Sequence, residues 1–361
     1  MLNEQSDRSK LVSDQVKIGF TSPEPASSEV YKMPLQFMQK AVEDANNADL
    51  EVMLFSEASP EHRYEYQIQV IEGFCRSEVN ALIVHPADLK PLRSVLEEAI
   101  KSGVCVVLVN LLESEEYSDL GITSYIGFDN YVAGQLAAYA TVDYLGGPGC
   151  LERNKTAKPS PDRHLNLDWY ESLYPSEHNV EAAGNVIAIE GVSGRFSSVQ
   201  RVKGFKNVID RFPNICIKGV YPGDWTYTKA FDVAEKILKE YPEGEVDTIW
   251  AACNDMAFGV VDVLEKNGRL NRRAHPHAPG IAVITNDGTP KSLRLIEEGR
   301  IVAEVWHGFP EWGWHGIEFA VKALHGVEIP NSHDIGPRIE FSGNIRQFFP
   351  NPKLAEIHWK E

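Results

Sequence analysis

The sequence predicts an α/β protein of two similar lobes, each a doubly wound parallel sheet. Three observations predict this class. Short apolar runs alternate with longer segments of helical periodicity, this alternation occurs twice, and a length of 361 residues suits two domains of ordinary size. Near-continuous apolar strands separated by helices form parallel sheets that are covered on both faces.

The first series of predicted strands fills the N-terminal third of the chain. It comprises VKIGF at 16–20, LEVMLF at 50–55, ALIVHP at 81–86 and VCVVLVN at 104–110. Between these runs apolar residues recur three and four apart, as at Leu35, Met38 and Val42, which favours helices packed on the sheet. A further segment, YIGFDN at 125–130, precedes an amphipathic helix pattern that continues to Leu145.

The second series follows an irregular stretch. Its predicted strands are NVIAIEG at 185–191, CIKGVYPG at 216–223, TIWAACN at 248–254, IAVITN at 281–286 and IVAEVWH at 301–307. The stretch 146–184 is rich in Pro, Gly, Asn and charge, as in functional loops or disordered insertions. Its aromatic residues, such as Trp169, Tyr170 and Tyr174, suit docking on a partner or packing on their own lobe, and the second interpretation is favoured.

Charge and hydropathy exclude several classes of partner. The chain has 52 acidic and 35 basic side chains, so phosphate backbones and anionic membrane surfaces repel it, and nucleic acid is not an expected partner. No apolar run approaches the roughly 20 residues of a membrane span. The segment 1–15 is polar and lacks the apolar centre of a secretory signal, so we expect either a cytoplasmic protein or one whose signal has been removed.

Polar and aromatic residues follow the predicted strands. Because open parallel sheets bind ligands at the carboxyl ends of their strands, His85, Asn110, Trp225, Asn254 and Asp287 are candidates for a binding site. Amides and carboxylates pair with hydroxyl groups, and aromatic faces cover sugar rings, so this mixture suits a neutral polyhydroxyl ligand.

Motifs for catalysis and phosphate binding are missing from the sequence. It contains no GxSxG, GxxxxGK[ST] or HExxH motif, and no GxGxxG after the first strand. We therefore expect no enzymatic activity, catalytic residue, metal site or cofactor.

Several candidates also have simpler explanations. Asn254 could cap a helix that begins at Met256, and Asp287 precedes a turn sequence. His85 could be a surface residue at the end of a strand, and Arg201, inside a helical pattern, would by default be solvated.

Ordered motifs along the chain resemble a known family. They are ALIVHPAD at 81–88, YIGFDNYVAG at 125–134, SSVQRVKGF at 197–205, AACNDMAFGVVDVL at 251–264, VITNDGTP at 283–290 and GRIVAEVWHG at 299–308. From about Val16 to Phe349 the sequence resembles the type I periplasmic binding proteins, the ribose and galactose receptors of ABC transporters, and more distantly the ligand core of the lactose repressor. The resemblance implies the periplasmic binding protein-like I fold.

The resemblance also implies which residues bind the ligand. They are Tyr31, His85, Asn110, Arg201, Trp225, Asn254, Asp287 and His307. Arg201 would bind two hydroxyls, Asp287 and Asn254 would pair with others, and Tyr31 with Trp225 would sandwich the sugar ring. The sequence departs from the ribose-receptor pattern at His85, at Asn110 with Leu111 after it, at Phe128 and at His307. We therefore expect a ligand other than ribose, whether neutral or acidic.

In this family the chain crosses between the lobes three times. The crossings are expected near 128–130, 307–309 and 341–344, which gives a first lobe of 16–128 plus 308–342 and a second of 129–307 plus 343–361. A ligand that bridges the lobes would stabilise a closed form that a partner recognises.

The expected function is therefore periplasmic sugar binding by a monomer that delivers its ligand to an ABC permease. Asn110 and YIGFDN also resemble the branch that contains the autoinducer-2 receptor, so a role with a membrane sensor kinase is the alternative. A repressor core is disfavoured, because a helix-turn-helix does not fit in the 15 residues before the first strand.

Overall fold

The computed structural model describes residues 15–59, 63–149, 151, 165–174, 181–271, 280–348, 352 and 354–360. Its strands are β1 (Val16–Ser22), β2 (Val52–Ala58), β3 (Ala81–Val84), β4 (Cys105–Val109), β5 (Ser124–Gly127), β6 (Gly184–Glu190), β7 (Ile215–Pro222), β8 (Thr248–Ala251), β9 (Ala282–Asp287), β10 (Ala303–Trp306), β11 (Ser332–Asp334) and β12 (Arg338–Phe341).

Ten α-helices connect and flank these strands in the described residues. They are α1 (Glu29–Asn47), α2 (Tyr64–Arg76), α3 (Leu89–Lys101), α4 (Asn130–Tyr144), α5 (Leu167–Leu173), α6 (Phe196–Ile209), α7 (Tyr227–Glu240), α8 (Asn254–Lys266), α9 (Pro290–Glu297) and α10 (Phe309–Leu324). Short 3₁₀ helices cover Glu115–Leu120 and Ile345–Gln347. No described helix has the length and apolar character needed to cross a membrane.

The chain forms two compact units. Unit 1 comprises Met1–Gly127, Phe309–Ile335 and Leu354–Glu361, and unit 2 comprises Phe128–Gly308 and Gly336–Lys353. The strand order is β11-β5-β4-β3-β1-β2 in unit 1 and β12-β10-β9-β8-β6-β7 in unit 2. The two sheets share one order, and all described pairings except the antiparallel β10–β12 pair are parallel, which confirms the predicted fold class.

The last part of the chain differs from the predicted division into lobes. The segment 308–342 was assigned to the first lobe, whereas the division falls after Ile335 and β12 lies in the sheet of unit 2. The physical reason is that β12 pairs with β10 along its whole length, from Arg338 opposite Trp306 to Phe341 opposite Ala303. Residues 354–360, assigned to the second lobe, belong to unit 1, where the Trp359 indole donates to Asp44.

Helix α4 is buried on nearly all sides, whereas its sequence predicts an amphipathic helix. Its residues from Ala133 to Tyr144 are buried, because α6 covers one side and the unit 2 sheet another. Glycines allow the backbones of α4 and α6 to approach closely. A Cβ on Gly134 would lie 2.0 Å from the Arg201 carbonyl oxygen, and one on Gly204 would lie 2.0 Å from that of Tyr131. This close packing sets the position of Arg201 in unit 2.

The described part of the irregular insert packs on its own unit. Tyr170 is fully buried and stacks on Tyr139 of α4 with ring centroids 5.4 Å apart. Tyr174 also stacks on Tyr139 and meets the edge of Phe212. These contacts agree with the interpretation in which aromatic residues hold the insert on its own lobe. Residues 152–164 and 175–180 of the insert lie outside the described residues.

Candidate ligand-binding site

The carboxyl ends of neighbouring strands in unit 2 bring several predicted residues together. Strands β6, β8, β9 and β10 are adjacent in the sheet, and Asn254, Asp287 and His307 stand at the ends of the last three. Arg201 comes from α6, the helix that follows β6. The strand order changes direction between β6 and β8, which is where open α/β sheets bind ligands.

Arg201 is buried, in contrast to the solvated position that a helical pattern suggests by default. Only 5% of the residue is exposed. Its Nε donates to Oδ1 of Asn130 at 2.9 Å and Nη1 donates to the carbonyl oxygen of Ala252. The guanidinium carbon lies 5.2 Å from the Trp225 ring centroid and 5.8 Å from that of Phe128. Burial lowers the pKa of Arg201, while the Asp287 carboxylate raises it.

Asp287 supplies a buried carboxyl group beside this cation. Its Oδ2 accepts from the backbone N–H of Asn254 at 2.8 Å. Burial raises the pKa of Asp287 to about 7, although the charge of Arg201 and the Asn254 hydrogen bond lower it. The turn explanation is incomplete, because Asp287 is 5% exposed and bonds to the start of α8.

His307 belongs to a chain of hydrogen bonds that fixes its tautomer. The Trp250 indole can only donate, and it donates to Oδ1 of Asn286, so the Asn286 Nδ2 group faces Nε2 of His307 at 3.3 Å. Nε2 is then the acceptor, and Nδ1, which carries the proton of a neutral ring, lies 3.2 Å from Oδ1 of Asp287. Burial and the Arg201 charge hold the pKa of His307 well below its usual range, which agrees with a neutral ring.

Asn254 connects α8 to the start of α9. The helix begins at Asn254 itself and is capped by Cys253 without a side-chain hydrogen bond, so the N-cap explanation is wrong. Its Nδ2 donates to Oγ1 of Thr289 at 2.9 Å and to Oγ of Ser292 at 2.7 Å. Its Oδ1 is buried and has no hydrogen-bond partner among the described residues.

Trp225 forms a half-buried aromatic wall next to Arg201. Its ring lies against Gly191, where a Cβ would come within 2.0 Å of the indole. Trp225 has a φ of 61°, Asp287 a φ of 128° and Asn110 a φ of 71°. Positive φ is uncommon for residues other than glycine and concentrates at functional sites, so three of the predicted residues share this signature.

Unit 1 carries a second group of predicted residues at the ends of β1, β3 and β4, which are adjacent in its sheet. The His85 ring lies between two polar partners, with Nδ1 3.1 Å from Oγ of Ser22 and Nε2 2.7 Å from Nδ2 of Asn110. Its edge packs on the Trp312 ring. His85 is 7% exposed, so it is not the surface residue that the simpler explanation describes.

Tyr31 lies near the end of β2 in the same unit. Its ring stacks on Phe20 with centroids 5.6 Å apart, and its hydroxyl forms a hydrogen bond with Ser56. Burial raises the pKa of Tyr31 from its ordinary value. In unit 1, His85 and Asn110 are therefore in direct contact, whereas Tyr31 contacts Phe20 and Ser56 and neither of these two residues among its described contacts.

A buried glutamate, Glu304, supports the loop after β9, and a second one, Glu340, lies beside it. Glu304 on β10 accepts from the Gly288 backbone N–H at 2.8 Å and from Oγ of Ser292 at 2.7 Å. Glu340 is directly opposite on β12. Burial raises the pKa of Glu304 to about 8, and burial with the charge of Glu304 raises that of Glu340 well above its usual range. Glu304 thus holds both Gly288 and the start of α9 in place beside Asp287.

Comparison with protein families adds a decisive observation. A family model described as periplasmic binding protein domain matches residues 18–328. The chain belongs to this family. The D-allose-binding periplasmic protein of Escherichia coli is 24% identical to this periplasmic binding protein over 292 residues, which cover 79% of each chain.

Solved structures share the fold of this periplasmic binding protein. One is an ABC transporter periplasmic solute-binding protein from Actinobacillus succinogenes with bound D-allose, with 20% identity, a TM-score of 0.73, and coverage of 92% of this chain and 100% of that one. Another is the fructose-binding periplasmic domain of a hybrid two-component system, with 18% identity, a TM-score of 0.67 and 92% coverage of both chains.

The sequence missed some residues that shape the site of this periplasmic binding protein. Asn130 holds the Arg201 guanidinium, Ser22 contacts His85, and Phe128 stacks on His307 with ring centroids 4.1 Å apart. Ser22 stands at a strand end and the sequence indicates it there, but the resemblance does not include it among the ligand-binding residues; Asn130 follows β5 closely, which is the signal that could have found it. For Phe128, the only signal in the sequence is that the family it resembles commonly has a small polar residue at this position.

Proposed function

We propose that this periplasmic binding protein binds a neutral monosaccharide and delivers it to an ABC transporter. The observation that carries the proposal is that the buried Arg201 and Asp287 interact electrostatically and that Arg201 lies beside the half-buried ring of Trp225. A guanidinium and a carboxyl group bind hydroxyls in pairs, and an indole face covers the C–H face of a sugar. The D-allose ligand of the relatives supports the same class of compound.

The eight residues proposed to contact the sugar are those that the resemblance implies: Tyr31, His85, Asn110, Arg201, Trp225, Asn254, Asp287 and His307. Oδ1 of Asn254 is a buried acceptor that a sugar hydroxyl would satisfy. A sugar acid bound by Arg201 would bring a second carboxyl group into a site that already contains the buried Asp287. This arrangement favours a neutral ligand over a sugar acid.

Thermal unfolding against a panel of sugars tests the proposal. The protein is first unfolded and refolded to remove any bound ligand, then heated with D-allose, its epimers, pentoses, polyols, sugar acids and autoinducer-2. A ligand at a thousandfold excess over Kd stabilises the folded state by about 4 kcal/mol, so the correct sugar should produce a large shift. The absence of a shift with every sugar would contradict the proposal.

A pair of aromatic variants connects that shift to the candidate site. Trp225→Ala should abolish the shift, because it removes the ring beside Arg201. Tyr227→Ala is the matched control, because Tyr227 is 39% exposed and its hydroxyl donates to Asp262. If both variants kept the full shift, the ligand would bind elsewhere.

The delivery partner and the compartment belong to the same proposal. We propose a periplasmic monomer that docks on a permease and performs no catalysis. Deletion of the gene in the source organism should stop uptake of the radiolabelled sugar. Loss of a transcriptional response with unchanged uptake would favour the alternative partner, a sensor kinase. Cell fractionation and size-exclusion chromatography test the compartment and the monomeric state, and mass spectrometry of the incubated sugar tests for turnover.

A further inference from the structure

A cluster of potential metal ligands lies in unit 1 among residues that have no role in the proposed sugar site. Glu311 and His315 are one helical turn apart on α10, and His333 is on β11. Each offers one ligand atom, and the three atoms lie within 4.8 Å of one another. All three side chains are partly exposed, so an ion in solution can reach them.

His315 is held in an orientation that suits metal binding. Its Nδ1 lies 2.7 Å from Oε2 of Glu318, and Lys322 forms a second ion pair with Glu318 at 3.0 Å. Nδ1 donates to this carboxylate, so in the neutral ring Nε2 carries the lone pair. A histidine that donates its other ring N–H to a carboxylate is the usual arrangement around protein-bound metals.

The two histidine rings also have a common support. Their centroids are 4.7 Å apart, and the ring of Phe319, which is 5% exposed, packs against both, at 5.6 Å from His315 and 5.7 Å from His333. His333 is further fixed by the pairing of β11 with β5, where it is opposite Ile126. The three ligands therefore come from a helix and a strand whose positions the core of unit 1 determines.

We propose that Glu311, His315 and His333 bind a divalent transition-metal ion, Zn²⁺ in the first place, with water completing its coordination. Two histidines and one glutamate are an established ligand set for zinc. Bond lengths of about 2.1 Å place tetrahedral ligand atoms about 3.4 Å apart, so small rotations of these side chains complete the site. Imidazole ligands favour zinc over Ca²⁺ and Mg²⁺, which prefer oxygen ligands.

Calorimetric titration with zinc chloride tests this proposal. The full, tag-free chain is first treated with a chelator, which is then removed. The wild type should bind one equivalent of Zn²⁺, and neither Ca²⁺ nor Mg²⁺ should compete. Co²⁺ should give the visible absorption bands of a cobalt–imidazole complex. Binding should also raise the thermal midpoint, because the ion joins β11 to α10.

Matched histidine variants locate the ion. The double variant His315→Gln/His333→Gln should lose the zinc equivalent and the cobalt spectrum, with at least a roughly hundredfold loss of affinity, while circular dichroism verifies its fold. The control His275→Gln/His277→Gln removes the same number of histidines and should bind zinc as the wild type does. Glu318→Gln should weaken binding roughly tenfold, because it loosens His315 without removing a ligand.

Three results would overturn the proposal. They are no stoichiometric zinc binding by the wild type, full binding by the folded His315→Gln/His333→Gln variant, and loss of binding in the His275→Gln/His277→Gln control. None of these results depends on the sugar, because zinc is titrated in its absence. The metal proposal and the sugar proposal can therefore fail separately.

Discussion

Replacing Asp287 by asparagine should change how the stability of the unliganded protein depends on pH. Burial raises the pKa of Asp287 from its ordinary value of 3.8 to about 7. A raised carboxyl pKa means that the folded state holds the proton more tightly than the unfolded state. The resulting stability is fully present below pH 3.8 and is lost as pH rises through about 7.

The size of this loss follows from the two pKa values. Each pH unit between them corresponds to about 1.4 kcal/mol, and the loss levels off near the folded pKa, so the folded state loses about 2 kcal/mol between pH 5 and pH 7 and about 3 kcal/mol by pH 8. An asparagine at position 287 does not ionise and avoids the loss. Its amide places an N–H group against the N–H of His307 or Asn254, which costs about 1–3 kcal/mol. This cost is the same at every pH, so it does not alter the difference in pH dependence between the variant and the wild type.

Thermal unfolding of the ligand-free protein at pH 5 to 9 measures the effect. Relative to wild type, Asp287→Asn should gain about 3 kcal/mol between pH 5 and pH 8, which is about 6–12 °C in Tm for a domain of this size. Asp232→Asn on α7 is the control, because Asp232 is exposed, and its curve should parallel that of the wild type. A parallel curve for Asp287→Asn would show that Asp287 is ionised in the folded protein and would refute the reasoning.

Three further predictions follow from the packing and charge of unit 2. Gly191→Ala should weaken sugar binding at least about tenfold in calorimetry, because the new Cβ would overlap the Trp225 ring. Glu340→Gln should reduce the loss of stability between pH 7 and pH 9, as measured by urea unfolding. The pKa of Glu304 is raised to about 8 and that of Glu340, opposite it, well above its usual range, so the folded state loses stability as pH rises through that range. The variant removes one of these two buried acidic groups. Tyr170→Ala should cost about 3–5 kcal/mol of unfolding free energy and leave the sugar Kd unchanged.

Each of these variants has a control and a contradicting result. Gly73→Ala adds a methyl group with no contact closer than 3.9 Å and should bind as the wild type does; equal affinity of Gly191→Ala would contradict the role of Trp225. Glu243 is exposed, so Glu243→Gln should keep the loss of stability between pH 7 and pH 9. The same loss in Glu340→Gln would contradict a contribution of the buried Glu340 carboxyl group to it. Tyr170→Phe should keep most of the stability, whereas an unchanged Tyr170→Ala variant would show that the insert contributes nothing to unit 2.

The fold could be predicted because apolar periodicity is a local property. Strands β1 to β4 and β6 to β10 overlap the nine predicted apolar runs, whereas β11 and β12 were not predicted. Parallel pairing places His85, Asn110, Asn254 and Asp287 at or just after strand ends. The end of the first lobe could not be predicted in the same way. β12 is a short run whose partner, β10, lies more than 30 residues earlier, so only tertiary pairing assigns it to unit 2.

Burial of polar side chains was the main feature that the sequence did not contain. Arg201 looks solvated in a helical pattern, and it becomes buried because Gly134 and Gly204 let α4 and α6 approach closely. The metal cluster shows the same limit. Glu311 and His315 have the spacing of one helical face, but His333 joins them only through the pairing of β11 with β5. We therefore predicted no metal site from the sequence.

The hydrogen bonds of His307 refine the role that the family resemblance implies. Both ring nitrogens already have protein partners, Asn286 at Nε2 and Asp287 at Nδ1, and the residue is 1% exposed. A sugar hydroxyl could bond to either nitrogen only by displacing one of these partners, which would leave a buried polar group unsatisfied. We therefore expect His307 to contact the sugar through its ring at most and to orient the carboxyl group of Asp287. We therefore propose that the residue at position 307 influences ligand choice through Asp287, so Asp287 and Asn254 are the residues to vary first in a search for altered specificity.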